Sequence, residues 1–227
     1  MSKLRNPYLD VFLKYMQPPS QVSPIGWEAR TEWTAADGLD GPEWDKHIIN
    51  ELNASLARTH LVRYFAWAVP SDSAIKAIAE LGKPVIEIGA GTGYWGWLLD
   101  QLGVQVTLFD SEPAGGNELT SDDPWMDVRE GTEEILATND GWPEHTLFLC
   151  WPPYLSEMPE RCLELFKGDT LVHVGEHGGA TARRELYQVL PTVKGESVNG
   201  WELEREVDIP QWPGIRDYLS IYRRSAS

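Results

Sequence analysis

Apolar residues are spaced in two different ways along this chain. Before residue 84 they recur at three- and four-residue steps: Ile48, Ile49, Leu52 and Leu56, and then, after Pro70-Ser71, Ala74, Ile75, Ile78 and Leu81. One face of a 3.6-residue helix has that period, so this part is predicted to be mostly helix and loop. From Pro84 the apolar positions gather into short β-branched runs at Val85–Ile88, Val104–Phe109, Thr146–Cys150 and Thr170–Val174. Each run is bounded by Gly, Pro or Asp and separated from the next by a helix-length segment, the pattern of parallel strands covered on both faces. Two later runs, Trp201–Val207 and Asp217–Arg223, flank a turn region containing Pro210, Pro213 and Gly214 and predict a closing antiparallel hairpin. The predicted fold class is α/β, a doubly wound sheet with an N-terminal helical elaboration. No repeat or linker divides it. Residues 1–83 are expected to cap the substrate side and residues 84–227 to form the core, within one structural domain.

The chain has 227 residues, 42% of them hydrophobic, enough for one core that buries roughly 70% of the unfolded surface. No apolar run approaches the 18 or so residues of a membrane span, and Met1 to Asp10 mixes charges with Pro7 where a secretory signal would be apolar. These features predict a cytoplasmic protein without membrane association. Cys150 and Cys162, in an apolar strand and an amphipathic helix, are expected to be buried reduced thiols. With 19 basic and 35 acidic residues the net charge is −16, a field that repels phosphate backbones and makes nucleic acid a disfavoured partner. The 11 Trp residues, Trp212 among them, suit a pocket for a planar or aliphatic ligand as well as a core.

Chemistry concentrates where Glu87-Ile88-Gly89-Ala90-Gly91-Thr92-Gly93 ends the first strand and opens a helix. Glycines there let the backbone turn sharply and approach a ligand, and a helix N-terminus offers unpaired N–H groups. Asp110 ends the second strand about 20 residues downstream, where a doubly wound sheet sets a carboxylate against ribose hydroxyls. Two nucleotide ligands remain open, since Gly91, Gly93 and Gly96 also satisfy the dinucleotide spacing, and a plain tight turn is the third reading.

The string Val85 to Trp95, with Asp110 beyond it, resembles the first and second motifs of class I S-adenosylmethionine-dependent methyltransferases. The resemblance covers residues 84 to 224 and implies a Rossmann-like, seven-stranded sheet, mostly parallel with a C-terminal antiparallel hairpin. It further implies S-adenosylmethionine as cofactor. By resemblance Gly89, Gly91 and Gly93 lie against its methionine and ribose parts, Glu87 orders the amino end, and Asp110 binds the ribose diol. Gly131 and Thr132, in Asp127–Thr132, stand where the third motif places the adenine edge.

Cys150-Trp151-Pro152-Pro153-Tyr154 ends the fourth strand and resembles the Asn-Pro-Pro-Tyr motif of amino-group methyltransferases. Trp151 replaces the polar first residue of that motif, which counts against a nucleobase acceptor. Trp151 is expected to touch both cofactor and acceptor, and Pro152, Pro153, Tyr154 and Trp212 to line the acceptor side, with Tyr154 catalytic; the alternative is a rigid turn made by two prolines. Glu176 and His177 follow the fifth strand and are candidate proton acceptors. A zinc reading of this His and Glu cluster lacks a third ligand at a recognisable spacing, and no metal is expected. The expected function is methyl transfer to oxygen or nitrogen of a small molecule or peptide. The rivals are an amino or amide methyltransferase on a protein or nucleobase, and a cofactor-binding module without turnover. A homodimer is compatible with the same sequence.

Overall fold

The computed structural model describes residues 4–16, 54–113, 120–177 and 181–225. Helix α1 (Pro7–Tyr15) starts with a proline in its first turn and is capped by Asn6, whose side chain accepts the Leu9 N–H at 3.2 Å. Helix α2 covers 54–62. Of the predicted apolar stripe before it, Ile48, Ile49 and Leu52 lie outside the described residues, and Leu56 is 69% exposed and does not extend a buried face. The following segment, 63–67, is turn and bend rather than helix. Helix α3 (Asp72–Ala79) is capped by Ser71 and buries Ala74, Ile75, Ala77 and Ile78 as its spacing predicts. Burying each isoleucine contributes about 1.5–3 kcal/mol.

The sheet combines β1 (Val85–Ile88), β2 (Val106–Asp110), β3 (Arg129–Glu130), β4 (Thr146–Cys150), β5 (Thr170–Gly175), β6 (Ser197–Val198), β7 (Trp201–Asp208) and β8 (Tyr218–Arg224). Their spatial order is β3-β2-β1-β4-β5-β8-β7-β6. The first five strands are parallel, and β8 pairs antiparallel with both β5 and β7. The architecture is the expected Rossmann-like α/β sheet with a C-terminal antiparallel hairpin, but it has eight strands where seven were expected. The additional strand, β6, pairs with the start of β7 through Asn199 and Gly200, both at positive φ (50° and 79°). An Asn-Gly pair is the signature of such a two-residue hairpin, so the signal was in the sequence.

Strand alternation divides the core into two clusters, one on each side of the sheet. Tyr8, Ile75, Trp95, Leu98, Phe148 and Val172 form one, under α1, α3 and α4 (Tyr94–Asp100). Ile86, Ile88, Leu147, Leu149, Leu171 and Tyr222 form the other, with α5 (Met158–Leu165) and α6 (Leu186–Val189). The chain leaves β1 toward β2 on one side and resumes at β4 on the other, which opens a crevice at the carboxyl ends of these strands. No described helix is long and apolar enough to cross a membrane. Both cysteines are free thiols, and burial pushes each well above its ordinary range.

Candidate functional site

A cleft of about 290 Å³ occupies that crevice. Ile88, Gly89 and Gly91 from the end of β1, Asp110 from β2, and Gly131 and Thr132 from the turn after β3 form one side of it. Trp67, Cys150, Trp151, Pro152, Pro153 and Met158 form the other. A small side branch of about 40 Å³ shares Trp67, Gly89, Gly91 and Cys150 with the main cleft and reaches Glu87.

The glycines do different work. Gly89 and Gly91 sit at φ 80° and 55° and face the cleft, where the left-handed backbone suits glycine. Gly93, at φ 73°, is instead the N-cap of α4 and lines neither the cleft nor its branch. A Cβ there would stand 3.0 Å from Val128 Cγ2 and 3.1 Å from Leu108 Cδ1. The expected cofactor contact at Gly93 is thus corrected to a packing role under the loop.

Asp110 ties the loop to β2. One carboxylate oxygen accepts the Gly91 N–H at 2.8 Å and the other accepts the Glu112 N–H at 2.9 Å. A carboxylate offers about four lone-pair directions, so acceptor capacity remains at the cleft for a pair of hydroxyls. Glu87 is placed by alternation opposite Ile86 and Ile88, on the α4 face of the sheet. It is buried, its Oε2 has no hydrogen-bond partner, and burial together with the nearby Asp110 raises its pKa well above the ordinary carboxyl range. Gly131 donates its N–H to Asp110 O at 2.9 Å, and Thr132 caps the short helical turn Glu133–Ala137.

Trp151 is the most constrained residue of the far wall. It sits at φ 53°, unusual for a bulky residue and more so before a proline. Four contacts hold it there: its N–H donates to Val174 O at 2.8 Å, and its indole Nε1–H donates to Asp217 Oδ1 at 2.8 Å. Its ring also stacks on Trp67 (centroids 5.3 Å apart, 13° between planes), and the Arg58 guanidinium lies 4.4 Å from the ring centroid. Arg58 and Asp217 were not singled out from sequence, whereas Trp67 belongs to the Trp-rich N-terminal part expected to cap the substrate side.

Several expected site residues lie elsewhere. Tyr154 is 55% exposed and lines neither the cleft nor its branch, because the chain turns outward after Pro153. The proline carbonyls are engaged in backbone bonds, Pro152 O with the Ala182 N–H and Pro153 O with the Ser156 N–H. Trp212 is 2% exposed, packs edge-on against Phe12 and donates its indole N–H to the Tyr8 hydroxyl at 3.1 Å, which makes it a core residue. Glu176 is buried, and its Oε1 accepts the Arg216 N–H at 2.8 Å. His177 is turned to the α6 side, where it borders a separate depression with Arg184, Tyr187 and Gln188 and its Nε2 lies 3.3 Å from Ser220 Oγ. Neither Glu176 nor His177 lines the cleft or its branch. Among the described residues no three His, Cys, Asp or Glu side chains gather in a metal-binding group.

No family model matches the sequence, and no curated protein matches it. Several solved structures show similarity to this chain. One is the Burkholderia thailandensis 1,6-didemethyltoxoflavin-N1-methyltransferase with bound 1,6-didemethyltoxoflavin and S-adenosylhomocysteine, at 15% identity and TM-score 0.46 over 85% of this chain and 94% of that one. Another is a Streptococcus pneumoniae protein assigned as a tRNA (m1A22) methyltransferase, in complex with S-adenosylmethionine, at 12% identity and TM-score 0.41 over 70% of this chain and 75% of that one. A third is the CcbJ methyltransferase of Streptomyces caelestis, at 16% identity and TM-score 0.39 over 69% of this chain and 91% of that one. At such identities the chemistry of this chain is decided by its own side chains.

Proposed function

We propose that this chain is an S-adenosylmethionine-dependent methyltransferase acting on oxygen or nitrogen of a small planar molecule. One observation carries the reading: the Gly89–Gly91 loop, the Asp110 carboxylate and a buried Glu87 with an unpartnered oxygen converge on one cleft. These groups fit the cofactor. Asp110 retains capacity for the ribose hydroxyls, the loop admits a ligand where side chains would intrude, and Glu87 supplies the acceptor that an ammonium group needs. Gly131 and Thr132 border the place for the adenine edge.

When bound, S-adenosylmethionine supplies a methyl carbon already activated by its sulfonium. The residues of the chain then have to align the acceptor and exclude water. Trp67, Trp151, Pro152, Pro153 and Met158 do so with a flat, mostly apolar wall, which suits a planar acceptor. Among the described residues that line the cleft, none is Lys or Arg, which favours a small molecule over a polyanion. The N-terminal elaboration roofs this side through Phe65, Ala66 and Trp67, which line the side branch. Its backbone is tied to the glycine loop by the Thr92 hydroxyl, which donates to Phe65 O.

Titration calorimetry with S-adenosylhomocysteine tests the cofactor class without knowledge of the acceptor. Specific binding to the purified protein, weakened in Asp110→Ala, is the expected outcome. Preference for NADH in the same experiment would replace this reading with the dinucleotide one.

A further inference from the structure

We propose that Asp217 is a positioning residue of the acceptor wall: by accepting the Trp151 indole N–H it holds that ring against Trp67, while Arg58 locks the stack from the N-terminal side. The inference rests on the proposed methyl-transfer reading for the meaning of the wall, but the clamp itself is geometric. Trp151 is in a left-handed backbone conformation that is unfavourable for a residue with a Cβ, so its side-chain orientation depends on what grips it. The grip comes from three separate elements. Asp217 immediately precedes β8, Trp67 follows α2, and Arg58 lies on α2.

In the sheet, β5 lies between β4, which Trp151 follows, and β8, which Asp217 precedes. The 2.8 Å bond therefore bridges the carboxyl end of the sheet across one whole strand. Asp217 is 1% exposed, and the Gln211 side chain donates to its backbone carbonyl at 2.9 Å, which anchors the residue from the loop before β8. The Arg58 guanidinium lies 5.2 Å from the Trp67 ring centroid as well as 4.4 Å from that of Trp151, so one cation spans both indoles.

The clamp contains a titrating group. Burial pushes Asp217 up to about 7, against the opposing effects of the Trp151 hydrogen bond and Arg58, with Glu176 adding to the rise. The charged and titratable groups facing it are Arg58 from α2, Glu176 after β5, Tyr8 from α1, Cys150 from β4 and Tyr187 from α6. A neutral Asp217 accepts the indole N–H more weakly than a carboxylate does, so the grip on Trp151 loosens as pH falls below neutrality.

The test is fluorine NMR of the 5-fluorotryptophan-labelled full chain, with the Trp151 resonance assigned by Trp151→Phe. In the unsubstituted protein a single Trp151 resonance is expected, moving with pH around a midpoint of about 7. Asp217→Asn retains an oxygen that accepts the indole N–H, so it should keep the single resonance and lose the titration. Asp217→Leu should broaden or split it. An unperturbed Trp151 resonance in Asp217→Leu, or a titration that persists in Asp217→Asn, overturns the proposal. If Asp217→Leu does not fold, the comparison of Asp217→Asn with the parent still decides. Absence of S-adenosylhomocysteine binding to the parent protein would instead sink the methyltransferase reading and leave the clamp standing.

Discussion

The Asp110 carboxylate accepts the Gly91 N–H at 2.8 Å, so the end of β2 and the loop after β1 form one hydrogen-bonded unit on the lip of the cleft. Asp110→Ala removes this acceptor and the one for the Glu112 N–H together with the proposed ribose contact. S-Adenosylhomocysteine affinity is expected to fall by roughly 1.5–3 kcal/mol, with a smaller loss of fold stability of about 1 kcal/mol. Calorimetry and urea unfolding of the same preparation separate the two effects. Unchanged affinity in a folded variant would remove the ribose assignment.

Glu87 predicts proton-coupled binding. Burial, and then the nearby Asp110, raise its pKa and favour the protonated form, whereas an incoming ammonium group favours the carboxylate. Cofactor binding should therefore release protons, seen as an observed enthalpy that changes with the ionisation enthalpy of the buffer. Glu87→Gln should abolish that dependence. An enthalpy independent of buffer in the parent protein would contradict the assignment.

Gly91 and Gly93 separate binding from folding. Both lie at positive φ, so a side chain costs about 1–2 kcal/mol at either. At Gly91 a Cβ would be 3.9 Å from its nearest neighbour, Thr120 Cγ2, whereas at Gly93 it would press on Val128 and Leu108. Gly91→Val is expected to lose cofactor binding with moderate destabilisation, and Gly93→Val to be the less stable of the two. Denaturant midpoints and calorimetry on both variants check the ordering.

The pH dependence of stability has two opposed limbs. His173 is 1% exposed, neither ring nitrogen has a partner, and burial lowers its pKa to about 3. The unfolded chain, with His near 6.5, binds the extra proton first, so this residue's contribution is intact above about 6.5 and lost as pH falls toward 3. At pH 5 the loss is about 2 kcal/mol. Asp217, pushed up to about 7 from 3.8, acts with the other sign, and its contribution declines as pH rises from about 4 to 7. Between pH 7 and pH 5 the two effects are of similar size and nearly cancel, so His173→Leu should make the protein more stable at pH 5 than at pH 7 by about 2 kcal/mol relative to the parent, measured as the change in unfolding free energy between the two pH values. A pH 7 to pH 5 change equal to the parent's would show that His173 does not contribute there.

Much of this was legible in the chain because it depends on local pattern. β1 and β4 fall on the residues their apolar runs mark, and Gly89, Gly91 and Asp110 reach one cleft because strand ends, turns and glycine spacing are written locally. The acceptor side was read less well. Alternation stops at Cys150, since the left-handed Trp151 re-aims everything after it, and so Tyr154 projects outward. Trp212, in the loop before β8, is drawn into the core by Tyr8 and Phe12 of a helix about 200 residues away. Arg58 and Asp217 lie on no motif. Their meeting at Trp151 is a tertiary event that no spacing announces.

The sheet also has a consequence for how these molecules meet one another. Its two outermost strands, Arg129–Glu130 and Ser197–Val198, are each only two residues long. Arg129 and Glu130 are exposed and charged. A neighbouring chain that tried to extend the sheet from either of these two strands would find only two residues of backbone to template on, and at β3 it would also meet a charged pair. Growth of the sheet by strand addition onto β3 or β6 is thereby disfavoured.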